Sequence, residues 1–287
     1  MHLDAIRNHV FPTQRVSYTD KDTILYALSV GAGSDPLDPN QLRLVYEGSL
    51  SALPTIAAVL AHPGPWIAQP KFAVNYLKLL HGEQNLQVHR PLPPHGDIEV
   101  NYRVAAVVDK GEAKGALVYY EKTIQDAAQG DHYCTVLSTL FLRADGGCGS
   151  FGTPPAASPT HAGGAIDVVD EQQTWVGSAL LYRLNGDYNP IHADPIAASK
   201  AGFDRPILHG LCTYGVVAYL LTRSVCNHDP TRLRSLGVRF TSPVFPGENI
   251  RLEGTRTAEG VHFQASVPAR KQVVLSQGFA LIAPPTV

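Results

Sequence analysis

Residues 91–104 read PLPPHGDIEVNYRV, and residues 243–256 read PVFPGENIRLEGTR. Each begins with a Pro-rich turn, sets a Gly beside an acidic residue, and enters an alternating strand at an isoleucine, Ile98 or Ile250. Further strand-like segments follow: ALVYYEKTI (116–124) and HYCTVLSTLFLRA (132–144) after the first copy, VHFQASV (261–267) and QVVLSQGFALIA (272–283) after the second. Their β-branched and aromatic content and period-2 alternation are the marks of half-buried strands. A helix candidate precedes each set. The first is LPTIAAVLAH (53–62), interrupted by Pro54; the second is GLCTYGVVAYLLTRSV (210–225), apolar on most sides as suits a helix buried inside a domain. The shared order of helix, turn and strands predicts an internal duplication.

Strands that come in runs, rather than alternating with helices, predict the α+β class and argue against a Rossmann sheet. One long helix wrapped by an antiparallel sheet, twice over, is the pattern of a double hot-dog fold. Between the copies, ADGGCGSFGTPPAASPTHAGG (144–164) is dominated by Gly, Pro, Ser and Ala and has no apolar period, as expected of a connection between packed units. The predicted organisation is therefore an N-terminal domain at 1–143, a linker at 144–165 and a C-terminal domain at 166–287, with their sheets joined side by side.

The chain has 287 residues, 44% of them hydrophobic and 17% charged, so it can bury a substantial core. A net charge of -2 provides no general field to attract nucleic acid. Cys134, Cys148, Cys212 and Cys226 show neither zinc-site nor CxxC spacing and read as inert thiols in a reduced compartment. No apolar run nears the ~20 residues needed to span a bilayer. The first 13 residues lack the apolar core of a signal peptide, and the C-terminal Pro-Pro-Thr-Val is not a peroxisomal address of the Ser-Lys-Leu kind. These features predict a cytoplasmic protein without nucleic-acid or membrane partners.

The chemistry-bearing segment is YRLNGDYNPIHADPIAASKAGFDRPILHGLCTYG (182–215). It places Asp187, Asn189 and His192 within six residues, in a stretch rich in turn formers. Asp194-Pro195 reads as an N-cap and first helical residue, and Gly202 as the stop of a short helix, so the loop is pinned at one end. A carboxylate beside an imidazole can act as general base and general acid. Gly210 stands where a long helix should begin. Its N–H is free there to stabilise developing negative charge, and the missing side chain lets a substrate approach closely. Taken alone, the Asp–Asn–His loop also fits Asx turns with a packing histidine.

GDYNPIH (186–192), with Tyr182 before it and Ala198 after it, resembles the signature of hydratase 2 and MaoC-like dehydratases, and RPILHGLCTYG (205–215) resembles that family's oxyanion-hole segment. In the first half, YALSVGAG (26–33), LVYEGSLSALPT (44–55), LHGEQNLQVHRPLP (80–93) and VVDKG (107–111) resemble the two-domain hydratases of peroxisomal multifunctional enzymes type 2. The resemblance implies reversible hydration of trans-2-enoyl-CoA to (R)-3-hydroxyacyl-CoA, in fatty-acid or related acyl-CoA metabolism such as β-oxidation. Asp187 and His192 would be the catalytic pair, Asn189 would position the water, and the Gly210 amide would belong to the oxyanion hole. His81, Gly82, Lys110 and Phe240 would contact the acyl-CoA. No metal or cofactor is expected beyond the CoA thioester, which is the substrate. The first half has no counterpart of GDYNPIH, so the resemblance implies that it binds substrate and that only the second half is catalytic.

Other readings are a hot-dog acyl-CoA thioesterase and a non-catalytic acyl-CoA-binding protein. GAG (31–33) lacks the third glycine and the context of a dinucleotide site, and no HExxH, GxSxG or P-loop occurs. Oligomeric state is open between a monomer and a homodimer.

Overall fold

The computed structural model describes residues 1–156, 159 and 163–285; the remainder of the predicted linker and the last two residues lie outside the described set. The first half contributes β1 (Gln14–Tyr18), β2 (Leu79–Val88), β3 (Gly96–Asp109), β4 (Ala116–Asp126) and β5 (His132–Leu142). The second contributes β6 (Val168–Gln173), β7 (Leu233–Phe240), β8 (Asn249–Arg256), β9 (Val261–Val267) and β10 (Gln272–Ile282). Among the described residues these form one antiparallel sheet in the order β1-β3-β4-β5-β2-β7-β10-β9-β8-β6. Read inward from each edge, the two halves have the same order, each strand of the first matched by the strand five places later. β3 thus corresponds to β8, the pair that the Pro–Gly–acidic–Ile repeat predicts. The matched central strands β2 and β7 join the halves, with Asn85 opposite Gly237.

The helices of the first half are α1 (Leu3–Arg7), α2 (Asp20–Ser29) and α3 (Pro39–Val45); those of the second are α4 (Ser178–Tyr182), α5 (Pro195–Lys200) and α6 (Gly210–Ser224). α6 is the predicted central helix, buried without a break from Cys212 to Thr222. The main apolar cluster runs through both halves, from Tyr26, Ile56 and Ile98 to Tyr214, Leu220 and Phe263, so the halves share a core as well as a sheet. This is a double hot-dog architecture with one full central helix.

The helix expected at 53–62 does not form. The segment is buried but holds only a 3-10 turn, Pro54–Ala58, and the chain leaves it through Ala61 at φ +50°. The carbonyls of Ala57 and Ala58, which a helix would pair with N–H groups four residues on, instead accept from the Lys122 ammonium. Tertiary hydrogen bonds from the sheet have replaced helical ones.

The start of the predicted linker is also packed rather than free. Asp145 is buried and accepts from the Asn75 N–H, and Phe151 bridges to Val107. Asp109 accepts from the N–H groups of Gly147 and Gly149. A Cβ at Gly146 would lie 2.1 Å from the Gly111 carbonyl oxygen. The glycines here serve close backbone approach as well as connection.

Candidate active site

α4 and the 3-10 turn Arg183–Asn185 end at Gly186, whose φ of +114° is costly for any residue with a Cβ. The chain then makes successive side-chain-capped turns. Asp187 Oδ1 accepts from the Asn189 N–H at 3.1 Å, and Asn189 Oδ1 accepts from the Ile191 N–H at 3.2 Å, capping the 3-10 turn Pro190–His192. Asp194 caps α5 through the Ile196 N–H at 2.8 Å, with Pro195 in its first turn, and Gly202 follows its end at φ +88°, as predicted. The Asx-type turns that offered the bland reading of this loop are present, and they fix its side chains.

Asp187, His192 and His209 lie with their side-chain donor or acceptor atoms within 4.8 Å of one another. His192 and His209 stack, with ring centroids 3.7 Å apart and planes at 25°. His192 Nδ1 donates to the Ile207 carbonyl at 2.9 Å, which leaves Nε2 with the lone pair. His209 Nε2 donates to the backbone carbonyl of Asp187 at 3.1 Å and so ties the start of α6 to the loop. Burial pushes the Asp187 carboxyl up, but His209, the Asn189 N–H, His62 and His192 together outweigh it and hold the group below its ordinary value. Burial lowers His192, against the opposing Ile207 carbonyl and Asp187 charge. Burial and the neighbouring His192 lower His209 to about 3. The group at neutral pH is therefore an ionised carboxylate beside two neutral imidazoles.

Gly210 opens α6, and its N–H is among those with no intrahelical acceptor. A Cβ on Gly210 would stand 3.3 Å from the Phe240 ring. Phe240 in turn packs on His81, ring centroids 4.7 Å apart. Burial pushes His81 down to about 4, and its Nε2 is buried without a hydrogen-bond partner among the described residues. Gly82 is the extra residue of a β-bulge, where β2 passes from His81 opposite Leu140 to Glu83 opposite Thr139. The fold thus brings Asp187, His192, Gly210, Phe240, His81 and Gly82 into one neighbourhood, with residues from both halves. Asn189 is exposed at its edge, its carbonyl oxygen committed to the turn.

Lys110 stands apart. It is exposed in the β3–β4 turn, its N–H donating to the Gly115 carbonyl. The register aligns Asp109 with Ala116, Ala116 with Leu142, and Leu142 with Leu79. The turn of Lys110 therefore lies three strand spacings from β2, roughly 14 Å at the usual inter-strand distance, and level with its start at Leu79 rather than with His81.

The sequence reading passed over His209 and His62. His209 was visible as the residue before Gly210, but its stacking on His192 is tertiary. His62 lay in a segment read as helix; its Cβ would touch a Cβ placed on Gly186, at 3.9 Å. One carboxylate and two imidazoles at this spacing are also a donor set of the kind that holds a metal ion. The two rings are stacked, and each has one nitrogen on a backbone carbonyl, which leaves the other nitrogen to exchange a proton.

Residues 158–277 match the family described as MaoC like domain, and residues 16–144 match the MFE-2 hydratase 2 N-terminal domain. The chain is 35% identical over 289 residues to enoyl-CoA hydratase 2, peroxisomal, of Arabidopsis thaliana, covering 95% of this chain and 93% of that protein. It is 38% identical over 271 residues to 3-hydroxyacyl-thioester dehydratase Y of Mycobacterium tuberculosis, covering 91% of each. The solved structure of a MaoC-like dehydratase from Phytophthora capsici superposes with a TM-score of 0.87 at 31% identity, over 100% of both chains.

Proposed function

The chain belongs to the MaoC-like hydratase 2 family, with an MFE-2 hydratase 2 N-terminal domain ahead of its MaoC-like half, and on that premise we propose that it hydrates trans-2-enoyl-CoA reversibly to (R)-3-hydroxyacyl-CoA. The observation that carries this reading is the grouping of Asp187 and His192 with their polar side-chain atoms within 4.8 Å, on a loop that His209 ties to the start of α6 at Gly210. In the forward direction, Asp187 or His192 takes a proton from water as the water oxygen bonds to the β-carbon. The π electrons of the alkene move to the α-carbon and the thioester oxygen, where the Gly210 N–H and the α6 dipole stabilise the charge. The protonated member of the pair then delivers a proton to the α-carbon, and both groups return to their starting state. Asn189 positions the water through its amide, and His209 holds the loop against α6. Steric course is assigned (R) by family membership.

The division of labour follows the duplication. Residues 1–143 bind CoA and the acyl chain through His81, Gly82 and Lys110, 144–165 connect, and 166–287 carry the bond-making groups and Phe240. Lys110, as a point charge, meets a CoA phosphate. The pathway class is fatty-acid or related acyl-CoA oxidation. Residence is proposed as cytoplasmic on the sequence reading, although the Arabidopsis relative is named peroxisomal; no described helix is long and apolar enough to cross a membrane. Exposed Leu28, Trp175, Val176, Leu180 and Leu184 on the α2–α4 side favour a homodimer.

The test is to follow enoyl absorbance and free thiol together with crotonyl-CoA and a longer enoyl-CoA. Hydration removes the first without producing the second. Thiol release would support a thioesterase instead, and no change in either would support a binding protein. An (S)-specific dehydrogenase should give no signal with the product.

A further inference from the structure

The non-helical segment at 54–62 is held by a donor station on the sheet beneath it. Lys122 of β4 is buried, and its Nζ lies 2.7 Å from the Ala57 carbonyl, 3.2 Å from that of Ala58 and 2.7 Å from that of Leu60. An ammonium has three N–H donors, and all three are engaged. Tyr102 is the cross-strand partner of Lys122 in β3, and its hydroxyl donates to the next carbonyl, that of Ala61, at 2.7 Å. Lys122 Nζ also lies over the Tyr102 ring, 5.6 Å from its centroid. Two facing side chains thus satisfy four carbonyls, those of Ala57 and Ala58, which a helix over 53–62 would pair itself, and those of Leu60 and Ala61, which its last turn would leave open. Burial pushes Lys122 down to about 7, whereas the three carbonyls favour the protonated form, since only that form has three donors.

The second half supplies an internal comparison. Aligning Ile98 with Ile250 places Tyr102 opposite Gly254, whose strand partner is Phe263. At the positions matching Tyr102 and Lys122 that half has no side-chain hydrogen-bond donor, and above its sheet lies the intact helix α6. Donors are present where the helix is lost and absent where it is kept.

The held segment ends at the catalytic loop. The chain turns at Ala61, itself left-handed, into His62, whose Nδ1 accepts from the Gly64 N–H at 3.1 Å. His62 Cβ lies 3.9 Å from the place a Cβ on Gly186 would take, and the ring, whose pKa burial lowers, has the Asp187 carboxylate as its electrostatic neighbour. We infer that Lys122 and Tyr102 are positioning residues that act through segment 54–62 to seat His62 against Gly186 and Asp187, so that a station in the non-catalytic half sets the geometry of the catalytic loop. The inference deepens the hydratase reading and rests on it for its kinetic arm only.

The experiment compares wild type with Lys122→Met, Tyr102→Phe and His62→Gln, by amide hydrogen exchange and by steady-state kinetics with crotonyl-CoA. Loss of three buried hydrogen bonds in Lys122→Met should speed exchange in residues 54–64 by about tenfold or more. Exchange in residues 186–192 should rise with it, and kcat should fall by about tenfold with KM nearly unchanged. His62→Gln should reproduce the kcat loss without loosening 54–64, and the double variant should lose little more than either single one. Faster exchange confined to 54–64, with 186–192 and kcat as in wild type, would reduce Lys122 to a structural role and overturn the proposal; so would an unchanged kcat in His62→Gln. If Lys122→Met does not fold, Tyr102→Phe, which removes a single hydroxyl, is held to the same joint change in exchange. If wild type does not hydrate enoyl-CoA, the hydratase reading fails by itself, and the linked or unlinked exchange of the two segments still decides the positioning.

Discussion

Substituting Gly210→Ala separates stability from catalysis at one atom. Gly210 opens α6, and its φ is not in the left-handed region, so alanine is compatible with the backbone and should raise helix propensity by up to about 1 kcal/mol. The new methyl would meet the Phe240 ring at 3.3 to 3.4 Å, which a shift of a few tenths of an ångström relieves. Net stability should therefore change by less than about 1 kcal/mol. The substrate has no such latitude. Its thioester oxygen must come within ~3 Å of the Gly210 N–H, and the methyl occupies the approach. Loss of one oxyanion-hole donor typically costs ~10²- to 10³-fold in rate, so kcat/KM for crotonyl-CoA should drop by roughly that factor. Thermal unfolding and initial-rate hydration on the same preparation provide both readouts. A variant with near wild-type kcat/KM would refute the close approach of the thioester to residue 210, and one that loses activity because it unfolds would show that the glycine serves packing.

Three further outcomes follow from the same geometry. Lys110→Ala should raise KM for enoyl-CoA several-fold and leave kcat unchanged, since its turn lies three strand spacings from β2, the strand that carries His81; a kcat loss at constant KM would contradict its assignment to the CoA phosphate. Stability should fall in acid. Burial holds His209 near 3 and His81 near 4, below their ordinary 6.5, so the unfolded chain binds more protons as pH drops below about 6.5. Each such histidine then lowers unfolding free energy by up to ~1.4 kcal/mol per pH unit until its folded value is reached. Urea midpoints at pH 7 and pH 5 that coincide would show that these rings are not buried and neutral. Finally, residues 166–287 expressed alone should be insoluble or inactive, because β7 would lose its β2 partner and the shared core would be cut; a soluble, fully active half would refute the shared-core account.

How much of this was legible beforehand depends on whether the signal was local. Strand alternation, the Pro–Gly–acidic–Ile repeat and the apolar 210–225 stretch are local patterns, and they gave β3, β4, β5, β8, β9, β10, the duplication and the central helix at nearly their observed bounds, but not β1, β6 or the joining strands β2 and β7. The Asp194–Pro195 cap and the Gly202 stop were equally local. The segment at 53–62 misled because its apolar content fits a helix, whereas its carbonyls are claimed by Lys122 and Tyr102 from strands some 40 to 65 residues away. Nothing in the segment encodes that competition. Composition likewise marked 144–164 as a connection, but the close approach of Gly146 to Gly111 is a contact that no spacing rule reveals. At the site, Asp187 and His192 could be picked out from one loop. The stacking of His209 on His192 joins the loop to the start of α6 within the second half, whereas the approach of His62 to Gly186 and the packing of His81 on Phe240 required the two halves to be brought together.

The central claim is that Asp187 and His192 carry out acid–base hydration of an enoyl thioester. Its most direct test is the rate of enoyl-CoA consumption by wild type, Asp187→Asn and His192→Ala, each verified as folded by hydrogen exchange across α6. Wild type should consume crotonyl-CoA without thiol release, and each variant should be slower by ~10²- to 10⁴-fold, the usual cost of losing a positioned acid–base group. Turnover close to wild type in either folded variant would contradict the account.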